Sequence, residues 1–158
     1  MLDEKVLIAL QLQMGNELKN FYKYKSFSGI ADFQALLGAT SWFDKQAQEE
    51  YGHFNKFFTY ISDKGHIPHL VTLEELPPQT LSLQELFNQT VLIERGTYEN
   101  LKKVAEICKE MKDDQSYELL LWFLKEQVEE VKTVEDIQKR VIMSLNNPLI
   151  IDNELGSR

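Results

Sequence analysis

The most informative feature of this chain is a set of polar side chains at positions where helical stripes should carry apolar residues. The stripe that includes Met14 and Phe21 is interrupted by Glu17, at a position that 3.6-residue spacing gives to a hydrophobic side chain. Stripes in three further helical stretches are interrupted in the same way, at Glu50, at Glu94, and, on two adjacent stripes of the last stretch, at Gln127 and Glu130. A carboxylate buried without a partner is costly, so such a group must be paired, protonated or bound to a metal. Carboxylates that converge from several stripes therefore indicate a metal site.

A second type of ligand suggests a site for two ions. His53 follows Glu50 by three residues and Glu130 follows Gln127 by three, so each pair shares a helical face with an offset of about 4.5 Å along the axis. Carboxylates with one imidazole suit iron or manganese better than an ion that prefers thiolates. The glutamates would also balance the charge of two divalent ions. The alternative is a buried network with Lys or Arg partners, but these stripes carry few cations.

The same helical period fills most of the chain and predicts four long helices and a short one. We expect helices at about 3–31, 34–64, 82–112, 114–145 and 148–155, with a loop at 65–81. Gly65 ends the second helix, and Ser82 with Glu85 forms a capping box that starts the third. Asn146-Asn147-Pro148 breaks the chain before the fifth helix. Each polar position lies near the middle of its helix, which places all of them at a similar height in a bundle.

The lengths of the connections predict the topology. Short turns join the first helix to the second and the third to the fourth, so each pair should be antiparallel. An extended loop over 65–81 reaches over ~50 Å, which exceeds the ~42 Å length of such a helix, so the loop can cross the whole bundle. The second and third helices should then be parallel. The sequence thus predicts a single all-α domain over 1–158, an antiparallel four-helix bundle with a long crossover and a short fifth helix.

Charge and composition narrow the choice of partners and compartment. The net charge of −8 disfavours nucleic acid and anionic membranes and suits the attraction of small cations. The single cysteine, Cys108, cannot form an internal disulfide, and we interpret it as a core residue in a reducing compartment. The first residues lack the order of a signal peptide, and no apolar run approaches the ~20 residues of a membrane span. We therefore expect a cytoplasmic protein.

The motifs at these positions resemble those of non-haem bacterial ferritins, members of the ferritin-like di-iron family. They are Asn16-Glu17-Leu18, Gln46-Ala47-Gln48-Glu49-Glu50 with His53, Glu94, and Trp122 followed by Glu126-Gln127 and Glu129-Glu130. The resemblance covers nearly the whole chain and implies a ferritin-like fold. It further implies iron storage with ferroxidase activity, in which oxygen or hydrogen peroxide oxidises Fe(II). The ferric product would be stored as a mineral inside a homo-oligomeric cage of 24 subunits.

The resemblance assigns a role to each residue of the dinuclear centre. It implies that Glu50 bridges two iron ions. Each ion then takes two further ligands, which are Glu17 and His53 at the first site and Glu94 and Glu130 at the second.

Further residues around this centre take roles by the same resemblance. Gln127 would be a hydrogen-bonding residue or a weak ligand, Tyr24 would supply an electron, and Trp122 would have a similar redox role. A third iron ion would share Glu130 with the centre and bind the outer glutamates Glu49, Glu126 and Glu129. From the residues alone, the outer glutamates are more simply explained as solvated helix charges. The two aromatic residues could equally be part of the core.

Departures from related families separate the remaining interpretations. A bacterioferritin would bind haem through a methionine where Tyr51 stands, so we expect no haem. A miniferritin that coats DNA would place its ligands across a subunit interface, whereas here one bundle supplies all of them. Two alternatives from other classes stay open, a di-iron oxygenase acting on an organic substrate and a metal-free structural bundle. The short connection at Asn146-Asn147-Pro148 leaves open how the fifth helix docks at a fourfold axis.

Overall fold

This computed structural model describes residues 1–144 and 147–158, and over those residues the chain folds into five helices. The helices are α1 (Glu4–Phe33), α2 (Leu37–Asp63), α3 (Leu83–Glu110), α4 (Asp114–Met143) and α5 (Pro148–Leu155). Within those two ranges there is no β-strand. The all-α prediction, with a long crossover and a short fifth helix, is confirmed.

The turn between α1 and α2 differs from the predicted one. α1 continues two residues beyond the predicted end at 31, and α2 begins at Leu37 rather than at 34. Ala35 adopts a left-handed conformation with φ of 58°, which ends one helix and prevents the next from starting earlier. Helix propensity gives no indication of this conformation, because alanine is the strongest helix former.

The start of α3 follows the predicted capping chemistry. The Ser82 hydroxyl accepts a hydrogen bond from the backbone N–H of Glu85, while the Glu85 carboxylate accepts from the backbone N–H of Ser82. Lys112, with φ of 55°, turns the chain from α3 to α4. α4 ends at Met143, and the predicted end at Leu145 and break at Asn146 lie outside the described residues.

Two apolar cores, one at each end of the bundle, fix the directions of the helices. The first core joins the end of α1, the start of α2, the start of α3, the end of α4 and α5, and includes Phe27, Trp42, Phe43, Phe87, Val134, Val141 and Ile151. The second core joins the opposite ends and includes Leu10, Met14, Phe57, Ile61, Leu101 and Phe123. α1 is therefore antiparallel to α2 and α3 and parallel to α4, while α2 and α3 run in the same direction.

The loop between α2 and α3 crosses the bundle along α1, as its length predicted. His66 Nε2 accepts a hydrogen bond from the backbone N–H of Leu2, at 3.2 Å, at one end of α1. Val71 packs on Gly15 in the middle of that helix, where an added Cβ would lie 2.8 Å from the valine side chain. At the other end Gln34 donates to the backbone oxygen of Leu81, at 2.5 Å.

The short helix α5 docks on the N-terminus of α2. The residue before α2 supplies no side-chain cap, but the Asp152 carboxylate accepts hydrogen bonds from the backbone N–H groups of Gly38 and Ala39, at 3.2 and 2.7 Å. Free N–H groups and the helix dipole make this end favourable for an anion. Gly38 permits the approach, because a Cβ there would lie 1.7 Å from the backbone oxygen of Asp152.

Across residues 1–144 and 147–158, none of the helices combines the length and the apolar composition required to cross a membrane.

Candidate metal centre

A polar layer separates the two apolar cores at mid-bundle. Glu17, Glu50, Glu94 and Gln127 come from four different helices, and each is at most 2% exposed. His53, one turn after Glu50, is 8% exposed. Each of these residues replaces a core hydrophobe on its stripe, so the packing that buries the helices also brings the polar groups together.

The carboxylates and the imidazole form two donor triads that share one residue. Glu17, Glu50 and His53 offer ligand atoms within 4.8 Å of one another, and so do Glu50, Glu94 and Glu130. His53 Nδ1 lies 3.7 Å from Glu17 Oε2 and 3.9 Å from Glu50 Oε2. Glu50 belongs to both triads, so its carboxylate lies between the two groups of donors. Hard oxygen donors with one nitrogen donor suit ferrous and ferric iron.

Buried amide groups hold these carboxylates in place. Gln13 Nε2 donates to Glu17 Oε1 at 2.7 Å, and Gln127 Nε2 donates to Glu94 Oε2 at 2.6 Å. Gln46 Nε2 lies within hydrogen-bonding distance of both Glu50 Oε1, at 3.3 Å, and Glu94 Oε1, at 3.4 Å. Each amide orients a carboxylate without neutralising its charge, which leaves the negative charge available to a cation.

A second amide on α1 supports the shared carboxylate from the other side. Asn20 Nδ2 lies 3.4 Å from Glu50 Oε2 and 3.0 Å from the hydroxyl of Thr97. Glu50 is thus held between Asn20 and Gln46. Sequence reasoning did not identify Gln13, Asn20 or Thr97 as functional, and it noted Gln46 only as part of a motif. The missed signal was that Gln13 and Gln46 each lie one helical turn before a predicted ligand.

Three buried oxygen atoms in this layer lack a hydrogen-bond partner among the described residues. They are Glu17 Oε2, Glu130 Oε2 and Gln13 Oε1. Buried polar atoms are nearly always satisfied, and two of these are carboxylate oxygens of the donor triads. A cation held by the two triads would satisfy both carboxylate oxygens.

The pKa values of the layer follow from its burial. Desolvation and the charge of Glu17 raise the pKa of Glu50 to about 7. Desolvation and the charge of Glu50 raise the pKa of Glu94 to about 7 as well. Desolvation and the charges of Glu94 and Glu50 raise the pKa of Glu130 to about 10. For His53 desolvation favours the neutral ring, but the nearby Glu17 and Glu50 outweigh it and raise the pKa to about 11. The layer therefore holds protons that a bound cation would displace.

The two predicted redox aromatics lie in different surroundings. Tyr24 is fully buried, donates a hydrogen bond to Glu94 Oε1, and has a pKa raised by desolvation and by that carboxylate. Trp122 is 39% exposed, and its ring centroid lies 6.1 Å from that of His53. The Lys56 ammonium lies 3.5 Å from the centroid of the Trp122 ring. Tyr24 therefore has a proton acceptor at the centre, whereas Trp122 has a cation on its face.

The outer glutamates lie beside the centre but outside both triads. Glu49, Glu126 and Glu129 line a pocket of about 600 Å³ together with His53 and Glu130. Their carboxylates do not join either group of converging donors. Glu49 instead forms an ion pair with Arg158, with Glu49 Oε1 and Arg158 Nη2 2.8 Å apart.

Comparison with known proteins is consistent across sequence and structure. Residues 7–142 match the sequence model of the ferritin-like domain. The chain is 30% identical to a bacterial non-heme ferritin of Staphylococcus epidermidis, over 100% of this chain and 97% of the relative. It is 28% identical to a bacterial non-heme ferritin of Escherichia coli, over 99% of this chain and 97% of the relative.

Solved structures give the same result. An open pore ferritin from the archaeon Archaeoglobus fulgidus superimposes with a TM-score of 0.95 and 29% identity, over 100% of this chain and 99% of that one. A humanized archaeal ferritin superimposes with a TM-score of 0.96 and 27% identity, over 100% and 99% of the two chains. Matches of this extent, together with the mid-bundle donor layer, show that the chain belongs to the ferritin family.

Proposed function

We propose that this chain stores iron and that it oxidises Fe(II) at the layer formed by Glu17, Glu50, His53, Glu94 and Glu130. The observation that carries the proposal is the pair of donor triads sharing Glu50 between two apolar cores. A buried site with several carboxylates attracts divalent cations and excludes bulky substrates. Relatives at about 30% identity are named bacterial non-heme ferritins, which supports iron as the cargo.

Iron is the substrate of the proposed reaction. Glu17 and His53 would hold one Fe(II), Glu94 and Glu130 would hold the other, and Glu50 would bridge them. Binding requires neutral His53 and ionised carboxylates, so the entering ions displace protons. Each Fe(II) then loses one electron, and the two electrons reduce oxygen to hydrogen peroxide, or hydrogen peroxide to water. Gln127 would keep Glu94 oriented throughout.

The surrounding residues take secondary roles in this proposal. Tyr24 would supply a further electron, because its hydroxyl already donates to Glu94 and its proton has an acceptor. Trp122 is the weaker candidate for this role, since the Lys56 cation on its ring opposes oxidation. Glu49, Glu126 and Glu129, with Glu130, would receive a third iron ion on its way to the store. We propose no haem and no nucleic-acid or membrane partner.

The stored iron requires an enclosed volume, which we propose to be a homo-oligomeric cage of 24 subunits in the cytoplasm. Solved ferritins superimpose on this chain over its full length, which supports a similar subunit shape. Particle size, measured by light scattering or electron microscopy with and without iron, tests the cage directly. A monomer or dimer under both conditions would contradict it.

The test of function is iron uptake in air, measured as iron atoms bound per chain. A storage ferroxidase should take up far more iron than its two or three ligand sites and should turn Fe(II) into a ferric mineral. A di-iron oxygenase would stop near two ions per chain, and a metal-free structural bundle would bind none. Either of those two results would replace the proposed function by the corresponding alternative.

A further inference from the structure

The pocket beside the dinuclear layer contains a cation that belongs to the chain itself. Arg158 lines this pocket, and its Nη2 atom lies 2.8 Å from Glu49 Oε1. Glu126, Glu129 and Glu130 line the same pocket of about 600 Å³. The guanidinium therefore contacts one of the carboxylates that the proposed function gives to the third iron ion.

Contacts other than the ion pair fix the position of Arg158. Its guanidinium carbon lies 4.7 Å from the centroid of the Trp42 ring, and Nη1 donates a hydrogen bond to the backbone oxygen of Trp42 at 3.2 Å. The arginine side chain is 27% exposed, and that of Glu49 is 49% exposed. An ion pair this exposed would be weak alone, but the stacking and the hydrogen bond hold the planar group against Trp42.

The docking of α5 carries Arg158 to this place. Asp152 ties α5 to the N-terminus of α2 through Gly38 and Ala39. Trp42 and Glu49 lie further along the same helix, and Glu49 lines the pocket. The docking of α5 at the start of α2 therefore places the guanidinium of Arg158 beside Glu49, near the middle of α2.

We propose that Arg158 competes with a metal ion for Glu49 and so weakens cation binding in the outer pocket. This inference rests on the proposed function, because it concerns the third iron ion of that function. A cation entering the pocket must displace the guanidinium from Glu49 or bind without that carboxylate. We expect the third ion to bind about tenfold more weakly than it would without Arg158. The two triads bind their ions independently of this contact.

The experiment is a calorimetric titration of the assembled protein with Fe(II). It is done under anaerobic conditions, so that it measures binding without oxidation. The variant Arg158→Gln should bind the third Fe(II) about tenfold more tightly and the first two as before. The matched control is Arg140→Gln. Arg140 pairs with Glu154 of α5 and is absent from the residues that line this pocket, so its loss removes the same charge elsewhere.

A double-mutant cycle with Glu49→Gln locates the effect. In the Glu49→Gln background, Arg158→Gln should no longer change the affinity for the third ion, because the competed carboxylate is gone. An unchanged or weaker third affinity in Arg158→Gln overturns the proposal. So does an equal gain in Arg140→Gln, or a gain that persists without Glu49. Failure of the unmodified protein to bind the first two ions would instead refute the proposed function itself.

Discussion

The inner and outer glutamates of this bundle are one residue type in two physical situations. Glu17, Glu50 and Glu94 are at most 1% exposed, and each accepts a hydrogen bond from a buried amide. Glu49 lies one residue before Glu50, yet its side chain is 49% exposed and paired with a guanidinium. Water can solvate the outer charge and a cationic side chain can neutralise it, whereas the buried inner carboxylates need protons or cations for this.

This difference indicates which structural features give each region its affinity for metal ions. At the inner layer the two apolar cores impose the burial, and buried amides fix the geometry before any ion arrives. Orientation by surrounding hydrogen bonds is worth a substantial part of the affinity of a metal site. The outer pocket is open to solvent, and its affinity for a metal ion depends on competition with Arg158 for the carboxylate of Glu49. Variants at neighbouring positions can test whether the two regions really differ in this way.

The largest expected effect is at Glu50, the residue shared by both triads. Glu50→Ala should abolish rapid oxidation of Fe(II), with a loss of more than about 100-fold, because neither ion keeps its bridging ligand. The cage should still assemble, since the substitution removes a buried charge and leaves both apolar cores intact. Stopped-flow absorbance after mixing with Fe(II) in air measures the rate.

The adjacent substitution Glu49→Ala is the matched control for Glu50→Ala. It removes a carboxylate from the same turn of α2 but from the outer pocket, so the fast phase should keep its rate. Unchanged kinetics in Glu50→Ala would refute the assignment of the inner site. Equal losses in both variants would erase the distinction between the two regions.

A smaller effect is expected from the amide that spans Glu50 and Glu94. Gln46→Ala should slow the fast oxidation phase about tenfold, because the two carboxylates lose a shared donor that orients them. The control is Gln48→Ala, an exposed glutamine on the same helix. An oxidation rate for Gln46→Ala that matches the control would mean that the carboxylates are positioned by packing alone.

The metal-free protein should lose stability as the pH rises, because of the inner layer. The pKa values of Glu50 and Glu94 are raised from 4.5 to about 7, and that of His53 from 6.5 to about 11. In this range the folded state keeps protons that the unfolded chain releases, so the stabilisation present at low pH is lost as each group deprotonates. We expect the melting temperature without metal to fall by roughly 5 °C between pH 5 and pH 8.

Two double variants test whether the inner layer or the outer pocket causes the pH dependence of the melting temperature. Glu50→Gln with Glu94→Gln should reduce the pH dependence, because two of the groups with raised pKa values are removed. Glu49→Gln with Glu129→Gln should leave it unchanged. Added Fe(II) under anaerobic conditions should reverse the loss at pH 8, since the ions replace the displaced protons. A slope that is steeper without the inner pair than without the outer pair would contradict the account.

The predictability of these residues from sequence follows the same division. Glu17, Glu50 and Glu94 stand out because a charge inside an apolar stripe needs a special explanation, and burial makes that explanation a metal. The contact of Arg158 with Glu49 gives no such signal, since it joins residues more than a hundred positions apart. It depends on how α5 docks through Asp152 and Gly38, and the periodicity of one helix says nothing about that contact. Ala35 was missed for a related reason, because its conformation contradicts its propensity.

The smallest expected effect is at Glu129, an exposed glutamate of the outer pocket. Glu129→Ala should leave the first fast phase of Fe(II) oxidation unchanged, because Glu129 belongs to neither triad. It should alter the number of ions bound per chain or the rate at which the centre regains activity after a first turnover, since the next binding place has lost a ligand. Stopped-flow traces with successive Fe(II) additions separate the two stages. Loss of the first fast phase would mean that Glu129 is a ligand of the two inner iron sites. The distinction between inner and outer glutamates would then be wrong.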